Sequence, residues 1–240
     1  MIRISNVSKT YSKNGVKAVD SMNLTIADGK ITAFIGPNGA GKTTTLKMIT
    51  GVTSIDEGSI SINGIDITKE PTKAKMQFGF VSDTPDNFLR LKGIEYLSFL
   101  ADIYGIGKEE RKKVIYDLAE RFGMTDALSS KIISYSHGMR QKMMVMGALI
   151  HNPSVWILDE PLTGLDPQSA YSLKEMMHEH ADKGNSVIFS THVLEVAEKL
   201  CDEIVIINKG KVIFVGTMDE LKAKYPSEQT LENIFLEMTK

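Results

Sequence analysis

The residues with the clearest chemical potential lie at 36–43, where the sequence reads GPNGAGKT. The pattern G-x-x-x-x-G-K-T allows a tight loop whose backbone N–H groups point inward, toward the phosphates of a nucleotide. Lys42 adds a positive charge for the β- and γ-phosphate oxygens, and the hydroxyl of Thr43 can coordinate Mg²⁺. The predicted nucleotide-binding residues of this loop are Gly36, Pro37, Asn38, Gly39, Ala40, Gly41, Lys42, Thr43 and Thr44.

A second reactive group ends the apolar run at 155–158, in the segment VWILDE. Open α/β sheets bind their ligands at the carboxyl ends of the strands, so Asp159 is predicted to hold Mg²⁺ or its water. Glu160 is predicted to act on the water in line with the γ-phosphate, as a general base or as an orienting group. The sequence therefore combines phosphate binding with the side chains that hydrolysis requires.

The elements that position these residues alternate between strands and helices. Apolar runs at 31–35, 155–158, 187–189 and 204–207 predict buried parallel strands, and Asn63-Gly64 between alternating residues predicts a hairpin. Apolar residues recur at helical spacing from 93 to 150. The predicted class is α/β: a P-loop NTPase core with a mostly parallel sheet, an N-terminal antiparallel β subdomain and an inserted α-helical lobe.

We expect one domain spanning 1–240, with the core and β subdomain at 1–83 and 152–216, the helical lobe at 84–151 and a C-terminal helical tail at 217–240. Asp166-Pro167 predicts a helix start, and Thr217 with Glu220 predicts a capping box. Four methionines of the lobe, at 139, 143, 144 and 146, are interpreted as a soft packed core rather than as a peptide groove.

Composition excludes several classes of protein. With 28 basic and 30 acidic residues, a net charge of −2 gives no general attraction to nucleic acid, which is not expected as a partner. A single cysteine, Cys201, excludes an intrachain disulfide framework and fits a reducing compartment. No apolar run approaches the roughly 18 residues of a spanning helix. The best match to a guanine-binding N-K-x-D motif, at 208–211, has lysine in place of aspartate and is interpreted as a hairpin turn.

Four segments resemble, in order, the motifs of the ATP-binding subunit of ATP-binding cassette (ABC) transporters: GPNGAGKT, SYSHGMRQK, WILDEPLTGLD and SVIFSTH. The resemblance covers essentially the whole chain. The ending VGTMDELKAK followed by LENIFLEMT is similar to a branch that mostly drives exporters. The resemblance implies an ATPase that uses ATP and Mg²⁺, pairs with a second ATPase subunit, identical or paralogous, and serves a separate transmembrane permease from the cytoplasmic face of the membrane.

The resemblance also assigns residues around the nucleotide. Tyr11 occupies the position of an aromatic residue that stacks on adenine, and Val16 that of an apolar residue beside the sugar. His192, at the end of SVIFSTH, corresponds to a histidine that binds the γ-phosphate and positions the water, while Thr191 is expected to cap the next helix. Asp83 stands where the family has a magnesium-sensing glutamine, and a turn before Thr84-Pro85 is the alternative role for it.

SYSHGMRQK departs from the family signature L-S-G-G-Q at three positions, because Tyr135 replaces leucine, His137 the first glycine and Met139 the glutamine. Ser136 and Gly138 match, and Ser136 is predicted to cap a helix whose N-terminus faces an anion. In the family that anion is the γ-phosphate of ATP held by the opposite subunit. The resemblance also implies that Asp166 contacts the opposite subunit across the dimer interface. The bulky His137 either contacts the partner's ATP or is tolerated at the edge of the site.

Three related roles are weighed against the transporter. A DNA-repair ATPase of this kind would carry a long coiled-coil insertion between Lys42 and Ser136, and a translation factor would contain two tandem cassettes; the sequence has neither. A non-hydrolysing regulatory module conflicts with the presence of Lys42, Asp159, Glu160 and His192 and is favoured only by Asp83.

Overall fold

The computed structural model describes residues 1–11, 15–84, 86, 88–226 and 231–239, and this part of the chain forms ten strands and nine α-helices. The strands are β1 (Ile2–Thr10), β2 (Lys17–Ile26), β3 (Ile31–Ile35), β4 (Glu57–Ile62), β5 (Ile65–Asp66), β6 (Phe78–Val81), β7 (Val155–Asp159), β8 (Ser186–Thr191), β9 (Glu203–Asn208) and β10 (Lys211–Gly216). The helices are α1 (Lys42–Ile49), α2 (Pro71–Lys75), α3 (Gly93–Ile103), α4 (Lys108–Arg121), α5 (His137–Leu149), α6 (Pro167–Asp182), α7 (Leu194–Leu200), α8 (Met218–Lys224) and α9 (Leu231–Thr239).

Six strands form the central sheet in the order β10-β9-β3-β8-β7-β6. The pairings from β9 through β6 are all parallel, and β10 joins the edge antiparallel to β9. Parallel strands end at the same edge, so the loops after β3, β6, β7 and β8 meet there. The predicted α/β class with a mostly parallel sheet is confirmed.

A second sheet, antiparallel and in the order β2-β1-β4-β5, forms the predicted β subdomain. Its hairpin turns at Asn63 and Gly64, whose φ angles are +51° and +80°, so that Ile62 pairs with Ile65. Two positive φ angles are what a two-residue turn between twisted strands requires. The hairpin prediction is therefore confirmed.

The central sheet buries both of its faces, which explains its unbroken apolar strands. Phe34, Ile157 and Ile188 point toward the antiparallel sheet and α1 and join one core. Their neighbours Ile35, Trp156, Leu158 and Phe189 point the other way and join a second core with the helices. Successive residues of each strand thus fix the two layers that enclose the sheet.

The helical segment between β6 and β7 contains α3, α4 and α5, with short 3₁₀ turns at Asp126–Ser129 and Ile132–Ser134. Met143 and Met146 are buried, while Met139 and Met144 are half-buried against the same core, so the methionines pack as predicted. The division of the chain into core, helical lobe and tail stays a prediction, and residues 85, 87, 227–230 and 240 of the last two parts lie outside the described residues.

Helix α5 lies directly on β6 at Gly79, where a Cβ atom would overlap the carbonyl oxygen of Ala148. Gly79→Ala is therefore expected to lower the free energy of unfolding by about 2–3 kcal/mol, because backbone must move to admit the methyl group. Urea unfolding followed by the fluorescence of Trp156, the single and fully buried tryptophan, measures this loss.

The matched control is Gly107→Ala, at an exposed position where an added Cβ meets nothing within 4 Å. Because Gly107 is the N-cap residue of α4, where alanine is less favourable than glycine, that variant is expected to lower the stability by at most about 1 kcal/mol. Equal stability of the two variants would contradict the close contact between α5 and β6.

Candidate nucleotide-binding and hydrolysis site

The loop between β3 and α1 is shaped by close backbone contacts on two sides. Gly41 has a φ of +109°, and a Cβ there would lie 2.5 Å from the carbonyl oxygen of Ala18 on β2. On the other side, the turn between β9 and β10 donates the N–H of Gly210 to the carbonyl of Ala40 at 2.9 Å. Only glycine satisfies both the conformation and the space at position 41. The loop is thus held between β2 and the β9–β10 turn.

Lys42 lies inside this loop with its side chain buried. Its ammonium donates to the carbonyl oxygens of Gly36 at 2.7 Å and Pro37 at 3.3 Å. Burial lowers the pKa of Lys42, and the negative charges of Glu160 and Asp159 oppose that decrease. The loop therefore positions a cation where its N–H groups can receive an anion.

Asp159 is fully buried at the end of β7, and its two oxygens have different surroundings. Oδ1 accepts the hydroxyl of Ser190 at 2.5 Å and that of Thr43 at 3.1 Å. Oδ2 is buried and has no hydrogen-bond partner within the described part of the chain. Burial raises the pKa of Asp159, with a smaller contribution from the charge of Asp83, whereas the two hydroxyl hydrogen bonds lower it.

The side chains around Asp159 fit a magnesium ion. Mg²⁺ prefers hard oxygen ligands and usually takes one or two from the protein, with the rest from phosphates and water. The hydroxyl of Thr43 and the free Oδ2 of Asp159 provide such oxygens beside the phosphate loop. The structure thus places Thr43 next to Asp159, and both residues were predicted from the sequence as magnesium ligands.

Glu160 adopts a left-handed conformation, with φ of +50°, that is unfavourable for a residue with a side chain. Its N–H donates to the hydroxyl of Ser190 at 3.1 Å, and its Oε1 lies 3.0 Å from Nδ1 of His192. Such strain costs about 1–3 kcal/mol and concentrates at active sites, where surrounding contacts maintain it. The structure thus brings the two predicted catalytic residues into direct contact.

Ser190 is a functional residue that sequence reasoning missed. It is fully buried at the end of β8, where it donates to Asp159 and accepts from the backbone of Glu160. One hydroxyl therefore fixes both acidic residues. The sequence feature that could have identified Ser190 is a small polar residue near the end of the apolar strand SVIFST, close to the predicted His192.

A cavity of about 390 Å³ opens over the phosphate loop. Its lining combines one residue of β2, most of the loop and two acidic residues, namely Ala18, Asn38, Gly39, Ala40, Gly41, Lys42, Thr43, Thr44, Asp83 and Glu160. Gly36 and Pro37 contribute the carbonyls that bind Lys42. The predicted loop residues thus surround one space next to the predicted catalytic carboxylate.

Asp83 follows β6 and is exposed on the wall of this cavity. Its carboxylate accepts the hydroxyl of Thr84 at 3.3 Å. An Asx turn at this position would need the N–H of residue 85, but residue 85 is proline, which has none and lies outside the described residues. A hydrogen bond of this kind to residue 85 is therefore excluded, and the role of Asp83 on the metal side of the site stays a prediction.

Asp83→Ala is expected to reduce ATP turnover about tenfold while changing the ATP dissociation constant less than twofold, because Asp83 lines the cavity together with Glu160 and a carboxylate does not itself attract phosphate. Steady-state hydrolysis and equilibrium binding of a fluorescent ATP analogue measure the two effects. Asp117→Ala, at an exposed position on α4, is the control. Turnover equal to that of the control would assign Asp83 to local structure alone.

The residues predicted to contact the base and sugar lie at the surface beside the loop. Tyr11 is 63% exposed, and its hydroxyl donates to Thr44 Oγ1 at 3.3 Å, which ties the ring to the start of α1. Val16 is 92% exposed, and residues 12–14 between them lie outside the described residues. An exposed ring next to the loop is open for stacking, and both roles stay predictions.

Thr191 differs from its predicted role. Its hydroxyl accepts the N–H of Val193 at 3.0 Å, but α7 begins at Leu194, with Val193 at the N-cap position. The hydroxyl thus closes a local turn just before the helix instead of capping it. The candidate catalytic residue His192 lies within this turn.

Ser136 caps α5 as predicted, since its hydroxyl accepts the N–H of Met139 at 3.2 Å. Tyr135 is buried, and its hydroxyl donates to the carbonyls of Ala127 and Ser130. It therefore anchors the segment where the family has leucine. Ser136 and Gly138 do not line the cavity of the phosphate loop, so the structure does not bring the predicted signature residues to the nucleotide site of their own subunit.

A phosphate loop between a strand and a helix, beside a strand-end Asp–Glu pair, defines a P-loop nucleoside triphosphatase. The sequence model of the family described as ABC transporter matches residues 19–163, more than half of the chain. The chain belongs to this family, as an ATP-binding subunit of an ABC transporter. No helix within the described residues has the length and apolar character needed to cross a bilayer.

The sequence similarity to known proteins extends along the whole chain. This chain is 35% identical over 243 residues to the ABC transporter ATP-binding protein NatA of Bacillus subtilis (strain 168), covering 100% of this chain and 98% of NatA. It is 34% identical over 232 residues to the linearmycin resistance ATP-binding protein LnrL of the same organism, covering 97% and 74%.

Two solved structures extend the similarity to three dimensions. An ATP-binding subunit of an ABC transporter superposes with a TM-score of 0.94 at 33% identity, with 100% of both chains covered. The cassette MJ0796, solved as a post-hydrolysis dimer bound to ADP and Pi, superposes with a TM-score of 0.83 at 25% identity, covering 91% of this chain and 99% of that one. The chain is an ABC-type ATPase, and ATP-binding subunits of this family work with membrane permeases.

Proposed function

We propose that two copies of this subunit, or one copy and a paralogue, close around two ATP molecules and thereby power export through a separate permease. The observation that carries this proposal is that the phosphate loop and the N-terminus of α5 lie apart within one subunit. The loop, Asp83 and Glu160 line one cavity, but the helix start at Ser136 and Gly138 does not line it. A second subunit can supply that helix start to complete the site.

ATP binding is assigned to the phosphate loop and Lys42. The N–H groups of residues 38–44 and the N-terminus of α1 bind the phosphates, and Lys42 exchanges its bonds to loop carbonyls for phosphate oxygens. Thr43 and Asp159 would hold Mg²⁺, with Asp83 nearby, and the ion would offset the negative charge that builds up on the phosphates. Tyr11 would stack on the adenine, with Val16 beside the sugar.

Hydrolysis is assigned to the pair Glu160–His192. With Nδ1 of His192 bonded to Oε1, the carboxylate of Glu160 is fixed in one orientation, and its other oxygen is left to accept a proton from the attacking water. His192 then presents its Nε2 to the γ-phosphate. Ser190 keeps the backbone of Glu160 in place during this step.

Closure is assigned to the N-terminus of α5. Its first N–H groups, other than the one that Ser136 caps, and its helix dipole favour an anion. If that anion is the γ-phosphate on the second subunit, ATP binds the closed pair better than the separate subunits and shifts the equilibrium toward closure. Asp166 would contact the second subunit at the same interface. Hydrolysis removes this differential affinity and lets the subunits separate.

Export is the direction that the relatives support. The similarity to LnrL, whose name records linearmycin resistance, favours the removal of a compound from the cell. The chain would then act in the cytoplasm, peripherally on the inner face of the cell membrane, where a permease couples closure to alternating access. No nucleic acid partner is proposed, since the net charge of −2 offers no general attraction to one.

The partner is tested by affinity purification of the tagged chain from detergent-solubilised membranes. We expect an integral membrane protein to co-purify in stoichiometric amount and to change the rate of ATP hydrolysis. The direction is tested in a strain that lacks the gene, which should accumulate more of the transported compound, with rescue by wild type but not by Lys42→Ala. Lower accumulation would contradict export, and recovery of the chain without any membrane protein would contradict the transport role.

A further inference from the structure

The start of α5 packs against the turn that follows Glu160, here called the 161–166 turn. At Gly164, with φ of +78°, an added Cβ would lie 2.5 Å from Nδ1 of His137, so the imidazole ring lies directly against the backbone of the turn. From the other side, a Cβ at Gly138 would lie 2.8 Å from the carbonyl oxygen of Gly164. His137 and Gly138, the first two residues of α5, therefore both contact Gly164 of the turn.

Two further contacts join the same face of α5 to this turn. Nε2 of Gln141 lies 3.5 Å from the carbonyl oxygen of Pro161, and Nζ of Lys142 lies 3.2 Å from Oδ2 of Asp166. Gln141 lies four positions after His137 and Lys142 four positions after Gly138, a spacing that places each pair on one side of the helix. The contacts with Pro161, Gly164 and Asp166 thus bind the turn at its beginning, its middle and its end.

The turn is connected directly to the catalytic carboxylate. It begins at the residue after Glu160, and the N–H of Thr163 donates to the carbonyl of Glu160 at 3.2 Å. Glu160 holds an unfavourable φ of +50°. Backbone strain of this kind persists only where neighbouring contacts enforce it, and the turn provides contacts on the carboxyl side of Glu160.

We propose that His137 is a positioning residue whose ring, with the Lys142–Asp166 ion pair, fixes the 161–166 turn to α5 and thereby sets the orientation of Glu160 in the same subunit. This proposal rests on the proposed function, in which α5 approaches the nucleotide of the second subunit. When α5 moves toward that nucleotide, the turn moves with it. The turn would then transmit engagement of the partner's ATP by the helix start to the Glu160 of the same subunit.

The contact within one subunit is tested in the nucleotide-free protein by amide hydrogen exchange. In His137→Ala, the amides of Thr163 and Leu165 are expected to exchange about fivefold faster or more, because the turn loses its support. His178→Ala, at an exposed position on α6, is the matched control and should leave these amides unchanged. Unchanged exchange in His137→Ala would overturn the proposal without affecting the ATPase assignment.

The consequence for catalysis is tested by steady-state hydrolysis. His137→Ala is expected to lower kcat about five- to tenfold with KM for ATP changed less than twofold, since small misplacements of a catalytic group reduce turnover rather than binding. His137→Phe keeps a flat ring against Gly164 and should retain at least about half of kcat. A loss of kcat that Phe does not restore would overturn the role of the ring.

A double-mutant cycle separates this role from a direct contact of His137 with the partner's ATP. If His137 and Lys142 support the same turn, the combined loss of kcat in His137→Ala with Lys142→Met is smaller than the product of the two single losses. Independent effects that multiply would contradict the shared support. A wild-type chain that does not hydrolyse ATP would instead refute the proposed function, and the positioning role with it.

Discussion

Glu160→Gln is expected to bind ATP as tightly as wild type and to hydrolyse it about 10²–10⁴-fold more slowly, the range typical for loss of a general base. Glutamine keeps the shape of the side chain and can still bond to His192, which lies 3.0 Å from Oε1. It cannot accept the proton of the attacking water. Single-turnover hydrolysis and equilibrium ATP binding measure the two effects separately.

The same variant is expected to accumulate as an ATP-dependent dimer on size exclusion, because the closed state no longer decays through hydrolysis. Glu175→Gln, at an exposed position on α6, serves as the control and should behave as wild type. Wild-type turnover in Glu160→Gln would refute the role assigned to Glu160. Slow turnover without a dimer would refute closure around ATP while leaving the catalytic role intact.

Lys42→Ala is expected to weaken ATP binding about 100-fold, which corresponds to about 2.7 kcal/mol. The buried ammonium is the one side-chain cation that lines the described cavity over the loop, and charge-assisted hydrogen bonds contribute about 1.5–3 kcal/mol each. Isothermal titration with ATP and magnesium measures the loss. The fold should be retained, because Lys42 contacts only loop carbonyls through its ammonium.

Lys112→Ala, which removes an exposed lysine of α4, is the matched control for Lys42→Ala. It should bind ATP with wild-type affinity, and both variants should show wild-type far-UV circular dichroism. If Lys42→Ala bound ATP as tightly as this control, the phosphate loop would not be the nucleotide site.

Local sequence rules predicted the features that depend on a few consecutive residues. The loop at 36–43, the Asn63-Gly64 turn and the caps at Ser136, Asp166 and Thr217 are each specified by neighbours in the chain, and the structure has all of them. The meeting of Asp159 with the loop was also predictable, because strand ends of a parallel sheet share one edge.

Features that join distant parts of the chain were not predictable in the same way. Ser190 links Asp159 to Glu160 only because β8 pairs with β7 in one register, which places Ser190 opposite Asp159. The close contact of Gly79 with Ala148 depends on where α5 crosses the sheet. The sequence identified His137 as unusual, but its contact with Gly164 follows from the packing of two segments that lie 27 positions apart.

The central claim, a nucleotide site shared between two subunits, is tested most directly by mixing two defective variants in the Glu160→Gln background. Lys42→Ala lacks the loop cation but keeps its α5 start, whereas Ser136→Glu keeps the loop but places a negative charge where the partner's γ-phosphate would bind. Neither variant forms a complete site with itself, but a mixed pair has one.

Differently tagged forms of the two variants are combined, and their ATP-dependent association is measured by pull-down and analytical ultracentrifugation. The account predicts that each variant alone stays monomeric with ATP and magnesium, and that the mixture forms heterodimers. Association of Ser136→Glu with itself at the level of its parent, or a mixture no more associated than its two components, would contradict a site shared between subunits.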